Sequence, residues 1–376
     1  MTVPQNNNAP KLHYRLEQYK SKNGTINYYI TKDINLLGHR TKIRKKVGVK
    51  RPTEKELTEL TVKYAEEIEA QALEKEKRVR SRYYKTNYLK SQTLEQLEEI
   101  RVIHKRYTEL LTIDEIRTYE SDIEVKYVHG TTSVEGNTLT EQQARDLLTQ
   151  GKVPSDKTDR EIYEVQNFKS VKKFRDSYKG KITLGFIKKI HRLSMQNMKD
   201  KCPGVFRQKN VVIGGCEKQV THPSFIELAL QEIIDNYYIN IKNRHNPFEE
   251  AALFHYKFEI IHPFIDGNGR VGREIFNFML RKQGYPWMLI VRSNRDSYLQ
   301  ILQLGDEDKI QDMIEHFACL FILQSYVTGF VNALQDLLSK DNKEKQTFSY
   351  NTPSQFVINW EPNTLPSTER EKNSFS

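Results

Sequence analysis

Residues 259–273 read EIIHPFIDGNGRVGR, and they crowd a histidine, an aspartate, two arginines and three glycines into one short stretch. The segment before it, EEAALFHYKF, has apolar residues at helical spacing, and RVGREIFNFMLRKQ resumes that spacing. Proline disfavours helical backbone at the residue before it, so Pro263 predicts that the first helix ends at His262. The ionisable side chains therefore gather around a turn between two helices.

The turn within this stretch has the composition of an anion-binding site. Gly267, Asn268 and Gly269 form a tight turn that opens a helix, where backbone N–H groups are free and the helix dipole favours negative charge. Arg270 and Arg273 add two positive charges. We therefore expect the bound anion to be phosphate.

Two further side chains point to chemistry at the turn. Asp266 stands beside the predicted phosphate, and Mg²⁺ in proteins is usually held by one or two carboxylates together with phosphate oxygens. His262 is the nearby side chain whose ordinary pKa suits proton abstraction near neutral pH. Asp266 is thus a candidate Mg²⁺ ligand and His262 a candidate base, and the stretch favours phosphoryl or nucleotidyl transfer.

Three other interpretations stay open on the residues alone. A Gly-Asn-Gly helix start with surface arginines is common and needs no ligand. His255, Glu259 and His262 are spaced i, i+4, i+7, as metal ligands on one helical face would be, although Pro263 would turn His262 away. The segment FEIIHPF also fits a core helix that ends on a hydrogen-bonded histidine.

The net charge of +10 is concentrated near the N-terminus. Residues 11–51 contain twelve Lys/Arg against Glu17 and Asp33, which accounts for the whole excess. Alternating, aromatic-rich runs around the turn signal KNGT predict a β-hairpin followed by a third short strand. Such a basic ribbon fits the phosphates of a nucleic acid or an acidic protein partner, and it equally fits a solvated face.

Most of the remaining chain has helical periodicity, so we predict a mainly α protein. Thr53 and Glu56 form a capping box that starts a long helix after Pro52. Helix breaks are expected at Gly130 and at the segments TQGKVP and YKGK. The apolar segment 313–338 is interrupted by polar residues and favours a core helix over a membrane span.

Two segments depart from this helical pattern. Within residues 201–225 the runs NVVIGG and KQVTH flank a Gly-Gly turn and predict a short hairpin. After Lys340 the periodicity is lost and Pro, Ser, Asn and Thr accumulate, which predicts a mobile tail.

The stretch HPFIDGNGRVGR resembles the HxFx(D/E)GNGRxxR signature of the Fic family at every defined position. The similarity extends from about Tyr119 to Phe321 and includes IHRLSMQNM, CPGVFRQKNVVIGG and VTHPSFIEL. The resemblance implies a compact α-helical Fic domain with a short β-hairpin flap, and transfer of AMP from ATP to a protein hydroxyl. Gly269 stands where family members that phosphorylate their targets carry lysine, and this favours AMP transfer.

The resemblance also implies a role for each residue of the signature. His262 would take the proton of the attacking Ser, Thr or Tyr hydroxyl, and Asp266 would hold Mg²⁺ between the α- and β-phosphates. Arg273 would contact the γ-phosphate. The implied nucleotide site consists of Gly267, Asn268, Gly269, Arg270 and Arg273.

Residues 131–136, TTSVEG, resemble the inhibitory pattern (S/T)xxxE(G/N) of the Fic family. On the residues alone, 138–141 fits an ordinary helix start and Glu135 an ordinary surface acid. The resemblance implies instead that Glu135 pairs with Arg273 and occupies the γ-phosphate position, so that the enzyme is self-inhibited.

These interpretations divide the chain into four parts. We predict a basic β-rich module at residues 1–51, a helical connector at 52–117, a Fic catalytic domain at 118–340 with an inhibitory helix near 129–148, and a mobile tail at 341–376. The alternative is a Fic-core regulatory protein with weak or reverse activity, whose basic module binds nucleic acid or an acidic partner.

The expected partners and location follow from the remaining features. NVVIGG resembles the family's flap, so we expect a protein target along Val211–Gly215. Tyr298 falls where family members line the base pocket, although the following QLGDED departs from their pattern. No apolar leader is evident, and Cys202, Cys216 and Cys319 lack paired spacing, so we expect a cytoplasmic protein with reduced thiols in or near a core. No membrane partner is expected, and a homodimer is left open.

Overall fold

The computed structural model describes residues 14–211 and 220–327. Residues 1–13, most of the predicted flap and the whole predicted tail lie outside these ranges. Within them a small antiparallel sheet is followed by α-helices, so the prediction of a mainly α protein with a β-rich N-terminal module is confirmed.

Three strands form an antiparallel meander in the order β1, β2, β3. They span Tyr14–Lys20, Ile26–Leu36 and His39–Gly48. The predicted hairpin and third strand are therefore confirmed. One face of the sheet buries Ile30 and Ile43 in a small apolar core of its own.

A long helix, α1 (Glu54–Tyr83), covers that face, and Ile68 and Ala72 on it complete the small core. Its start is the predicted capping box, because Thr53 accepts a hydrogen bond from the Glu56 N–H while the Glu56 carboxylate accepts one from the Thr53 N–H. The next helix, α2, spans Ser91–Leu110 and packs against α1.

The remaining described helices share one large apolar core with α2. They are α3 (Ile113–Val134), α4 (Glu141–Gln150), α5 (Asp159–Gln166), α6 (Phe168–Ser177), α7 (Leu184–Ser194), α8 (Ile226–Lys242), α9 (Pro247–Ile261), α10 (Asn268–Lys282), α11 (Arg295–Asp306) and α12 (Ile310–Val327). The predicted core helix near the end of the chain is thus present over its described part.

Residues 259–273, the stretch EIIHPFIDGNGRVGR, join α9 to α10 at the centre of this core. Both helices are buried on most sides, and Phe258 and Phe276 are fully inaccessible. The helix break expected at His262 is confirmed, because α9 ends at Ile261. The loop at residues 262–267 is therefore held between two packed helices, which limits the movement of its side chains.

Of two expectations about helix boundaries, one was wrong and one is confirmed. Gly130 does not break a helix but lies inside α3, where a β-carbon would come 2.7 Å from the carbonyl oxygen of Ile290. The helix start expected at residues 138–141 is confirmed, because α4 begins at Glu141 and Thr140 caps it together with Gln143.

The predicted inhibitory helix near 129–148 is not one continuous helix. It consists of the last turn of α3, a short loop and most of α4. Glu135 is the residue that caps the C-terminus of α3.

The cysteine expectation is corrected in part. Cys202 and Cys319 are free thiols, but both are exposed rather than in the core, and Cys216 lies outside the described residues. In the described ranges, none of the helices is both long enough and apolar enough to cross a bilayer.

Candidate active site

His262 stands at the C-cap of α9 in a left-handed backbone conformation, with φ 48°. Its Nδ1 lies 3.2 Å from the carbonyl oxygen of Glu259. Because a carbonyl oxygen only accepts, Nδ1 carries the proton and Nε2 keeps its lone pair. Burial lowers the pKa of His262 below its ordinary value, so the imidazole is neutral at physiological pH. A neutral histidine with an unprotonated Nε2 is suited to accept a proton.

The predicted anion site corresponds to the N-terminus of α10. Gly267 occupies its N-cap with φ 81°, a left-handed conformation that glycine adopts without strain. The first backbone bond of the helix runs from the Val271 N–H to the Gly267 carbonyl. The N–H groups of Asn268, Gly269 and Arg270 therefore precede the hydrogen-bond ladder and stay available to an anion.

The Asn268 side chain holds this turn closed. Its amide donates to the carbonyl of Phe264 at 2.9 Å, and its carbonyl accepts from the N–H of Phe264 at 2.8 Å. The residue is 2% exposed, so both bonds are protected from water. The side chain of Asn268 thus stabilises the loop. Only its backbone N–H is available to a phosphate.

Asp266 projects from the same turn into a group of cations. Its carboxylate accepts from the Gly267 N–H at 2.6 Å, and Arg270 lies 3.2 Å away. Arg160 and Lys201 each approach to 3.5 Å. Burial opposes ionisation, but these cations outweigh it and hold the pKa of Asp266 below its ordinary value.

An ionised, partly exposed carboxylate beside a phosphate site has the donor chemistry that Mg²⁺ requires. The Asp266 side chain is 24% exposed, so one oxygen edge is open to an incoming ion. Mg²⁺ would there compete with Arg160 and Lys201, and it would need phosphate oxygens to complete its coordination. The residues therefore fit a metal that arrives with a nucleotide.

Arg273 is the most tightly held side chain of the site. Its Nη2 lies 2.6 Å from Glu135 Oε1 and donates to the Thr131 carbonyl at 2.9 Å, while Nε donates to the Thr131 hydroxyl at 2.9 Å. The guanidinium is 3% exposed and the Glu135 carboxylate 30% exposed. Burial opposes ionisation of Glu135, but Arg273 outweighs it and lowers the pKa of the carboxyl. Thr131 and Glu135, the two residue types that define the TTSVEG pattern apart from its glycine, thus both contact one arginine.

Glu135 also lies directly over the start of α10. A β-carbon added to Gly269 would stand 2.5 Å from Glu135 Oε1 and 2.8 Å from an Arg273 nitrogen. A carboxylate at the N-terminal turn of a helix is stabilised by the helix dipole, as a phosphate would be. Glu135 and an anionic ligand therefore compete for the same arginine and the same end of the helix.

Behind Arg273 lies a buried polar group that the sequence did not predict in this role. Tyr298 is 2% exposed, its hydroxyl lies 2.9 Å from His255 Nε2, and its ring centre is 5.9 Å from the Arg273 guanidinium. Glu259 is 3.8 Å from His255 Nδ1 and has no hydrogen-bond partner for Oε1 among the described residues. Burial raises the pKa of Glu259 to about 8, so the carboxyl is mostly protonated at neutral pH.

Two further residues that sequence reasoning missed hold the turn from outside. His191 is fully buried and stacks on Phe264, with ring centres 3.7 Å apart. Its Nδ1 accepts the Gly204 N–H, so its Nε2 carries the proton and donates to the Asp266 carbonyl at 3.0 Å. Burial lowers the pKa of His191 to about 4, which keeps the ring neutral.

Arg207 ties the turn at His262 to the two described residues that flank residues 212–219. Its Nε donates to the His262 carbonyl at 2.7 Å, and its remaining nitrogens reach the carbonyls of Ile261, Lys209 and Thr221. Lys209 and Thr221 stand on either side of residues 212–219, which are not described. The side chain is 1% exposed and binds only carbonyls among the described residues. A lone arginine in FRQK gives no sequence signal for such a role, because its partners are main-chain atoms.

The metal-site alternative is wrong. His262 directs Nδ1 to a backbone carbonyl, and His255, Glu259 and His262 do not converge on one point. In the described part of the chain, His245, Glu249 and Glu250 do come together. However, the Glu249 carboxylate accepts three backbone N–H groups from residues 87–89, so it caps the start of the neighbouring segment.

The fold and site define a class of protein: a helical domain that presents a neutral histidine beside a helix N-terminus whose backbone N–H groups are available to an anion. Residues 181–280 match the Fic/DOC family model. The chain is 30% identical over 208 residues to the protein adenylyltransferase Fic of Drosophila grimshawi and 29% identical over 206 residues to that of Drosophila willistoni. These matches cover 54% of this chain but only 42% and 41% of the relatives, so the chain spans less than half of their length.

Solved structures share the fold. Fic-1 from C. elegans superposes with a TM-score of 0.57 at 24% identity, covering 64% of this chain and 72% of that one. A Fic-domain-containing signaling protein from Bacteroides thetaiotaomicron gives 0.53 at 23% identity, covering 66% and 99%. The signature lies within the matched residues, so the resemblance to the Fic family is confirmed.

Proposed function

We propose that this protein transfers AMP from ATP to hydroxyl side chains of a protein target, and that Glu135 restrains the transfer. The proposal rests mainly on the 2.6 Å contact between Arg273 and Glu135. This contact lies over the first turn of α10, where an anionic ligand would bind. The names of the curated relatives support AMP transfer. Gly269 supports it too, since a side chain at this position would fill the anion site.

The reaction follows from the protonation state of His262. A target hydroxyl oxygen attacks the α-phosphorus of ATP and its proton passes to His262 Nε2, whose lone pair is free. The bond between the α-phosphorus and the bridging oxygen of pyrophosphate breaks, so AMP remains on the target and pyrophosphate leaves. General-base assistance of this kind typically contributes about 10²- to 10⁴-fold.

The nucleotide phosphates would lie at the start of α10. The N–H groups that precede the hydrogen-bond ladder, together with Arg270 and Arg273, supply donors and positive charge. Asp266 would hold Mg²⁺, and the ion when bound would neutralise charge on the phosphates and the leaving pyrophosphate. Gly267 would let the backbone approach the phosphates closely.

Self-inhibition would act through Arg273. While Glu135 holds the guanidinium, a γ-phosphate cannot use it, and the carboxylate repels the phosphate from the same place. ATP is then left with an unproductive pose, or it must displace Glu135 at a cost in free energy. The ion pair therefore sets the resting activity.

The partner and location assignments remain proposals. The target would lie along Val211–Gly215, next to the carbonyls that Arg207 holds, and would add a strand to that segment. Homodimerisation, the cytoplasmic location and the reverse, AMP-removing activity stay predictions. The basic module supports an additional binding role, which is separate from the transfer chemistry.

The decisive experiment uses ATP labelled at either the α- or the γ-phosphate, with Mg²⁺ and cell extract or the protein itself as acceptor. The Glu135→Gly variant should transfer the α-label and not the γ-label. The same variant carrying His262→Ala is the control and should bind ATP but transfer neither. Transfer of the γ-label would replace the proposal by phosphoryl transfer, and absence of both labels would exclude transferase activity under these conditions.

A further inference from the structure

The N-terminal sheet has two chemically different faces. Residues opposite each other in the register share a face, and Thr31 lies opposite Arg15 on one side and Arg44 on the other. Alternation then assigns every second residue of each strand to the same outer face, away from α1. The inner face contains the small apolar core.

Two lysines on the inner face are neutralised by α1. Lys32 forms an ion pair with Glu69, and Lys45 lies 2.6 Å from Glu67. The positive charges of these two lysines are therefore balanced within the fold.

The outer face keeps an excess of positive charge. Its strand positions carry two acids, Glu17 and Asp33, which are paired: Lys42 lies 2.6 Å from Glu17, and Arg40 lies 2.7 Å from Asp33. The cations of this face are Arg15, Arg40, Lys42, Arg44 and Lys46. They outnumber the acids by three.

Two of these cations have no acidic partner among the described residues, namely Arg44 and Lys46. Both are exposed. The Arg44 guanidinium stacks 4.6 Å from the ring centre of Tyr19, which itself packs edge-on against Tyr29 at 5.5 Å. The tyrosines thus restrict the arginine while leaving its donors free, which reduces the entropy lost on binding.

The composition of this face distinguishes a nucleic acid from a protein partner. None of its strand positions carries an aliphatic residue, whereas the centre of a protein interface is usually apolar. Interfaces with DNA are more polar and far more positively charged.

The arrangement of the strands fits a groove. Three strands about 4.8 Å apart place β1 and β3 about 10 Å from each other, and the DNA major groove is about 12 Å wide. Arg15 stands on one edge strand and the other four cations on the other edge, whereas the outward positions of β2 are uncharged except for Asp33. Four further exposed cations, Lys20, Lys22, Lys50 and Arg51, lie at one end of the sheet. The major groove of duplex RNA is too deep and narrow for this element.

We propose that the outer face of this sheet binds double-stranded DNA, with the edge strands against the phosphates on both sides of the major groove. This inference is independent of the AMP-transfer reaction. It rests on the sheet alone and requires no residue of the active site.

The test measures fluorescence anisotropy of a labelled DNA duplex with the full chain over a series of salt concentrations. Arg44→Gln with Lys46→Gln removes two cations without leaving a carboxylate unpaired. Because each phosphate contact contributes about 0.9 to the slope of log K against log salt, the double variant should reduce the slope by about two and weaken binding at least tenfold at low salt. Lys152→Gln with Lys242→Gln removes the same charge from the loop after α4 and from the end of α8, where both lysines are exposed and have no acidic partner among the described residues, and it should change neither the slope nor the affinity.

Circular dichroism and self-labelling should be equal in all three proteins, so a loss of binding cannot come from unfolding. Failure of the wild type to bind duplex DNA at low salt would overturn the inference, as would equal losses in both double variants. Tighter binding of duplex RNA would exclude the major-groove arrangement. Binding of polyglutamate as tight as that of DNA would assign the face to an acidic protein instead.

Discussion

Replacing Glu135 by glycine tests the central contact of the site. The variant removes the carboxylate 2.6 Å from Arg273 and leaves the arginine with its two bonds to Thr131. Position 135 has φ −86° and ψ 4° at a helix end, which glycine adopts easily, so the fold should persist. We expect activation.

The size of the activation follows from the two interactions that Glu135 loses, the hydrogen bond to Arg273 and the interaction with the N-terminus of α10. A hydrogen bond to a charged group contributes about 1.5–3 kcal/mol, and the favourable position at the helix N-terminus adds about 0.3–1 kcal/mol. Together these give about 2–4 kcal/mol that ATP no longer has to offset, and about 1.4 kcal/mol corresponds to a tenfold change in rate. The initial rate of self-labelling should therefore rise between about tenfold and a thousandfold.

The assay compares initial rates of α-phosphate labelling at saturating Mg²⁺ and ATP. Glu135→Gln keeps the size of the side chain and should activate less than glycine. Glu141→Gln makes the same charge change on the neighbouring helix, where the carboxylate is 45% exposed, and should leave the rate unchanged. Arg273→Ala should not activate, and the double variant with Glu135→Gly should be as slow as Arg273→Ala alone. Equal rates for wild type and Glu135→Gly would refute the inhibitory role.

Three further predictions address the turn and its supports. His262→Ala should lower labelling about 10²- to 10⁴-fold without weakening ATP binding by calorimetry, and undiminished labelling would remove His262 from the mechanism. Glu259 has a pKa of about 8 in the folded protein and about 4.5 in the unfolded chain. The unfolding free energy of the wild type, relative to that of Glu259→Gln, should therefore fall as the pH rises between these values, by up to about 1.4 kcal/mol per pH unit. Urea-denaturation profiles that run parallel for the two proteins across this range would contradict this. Asn268→Ala should cost about 2–4 kcal/mol in urea unfolding, because two buried bonds to Phe264 are lost, and unchanged stability would show that the side chain does not hold the turn.

Local chemistry made the loop predictable. Pro263 and Gly267 fix where α9 ends and α10 begins, and the capping box at Thr53 fixes the start of α1. These signals act within a few residues, so the sequence contains them completely. The pairing of Glu135 with Arg273 was predictable only through the family resemblance, because nothing local links positions so far apart.

The features that the sequence predicted wrongly or did not predict depend on long-range packing. Gly130 looked like a helix break, but the glycine is there because the chain near Ile290 approaches too closely for a side chain. His191 and Arg207 were overlooked because their partners are backbone carbonyl and N–H groups of distant segments. Glu259 was considered only as a metal ligand, since its burial beside His255 depends on Gly272, where a β-carbon would meet its carboxylate.

The position of Glu135 on the same chain as Arg273 has a consequence for dosage. A separate inhibitory protein would dissociate on dilution, and its effect would depend on the ratio of two concentrations. A carboxylate fixed at the end of α3 has a constant, high effective concentration at the arginine, so the proposed restraint would be the same for one molecule per cell as for thousands. Under the proposed function, a ligand or a partner that shifts the last turn of α3, or a nucleotide that competes at the site, would relieve it.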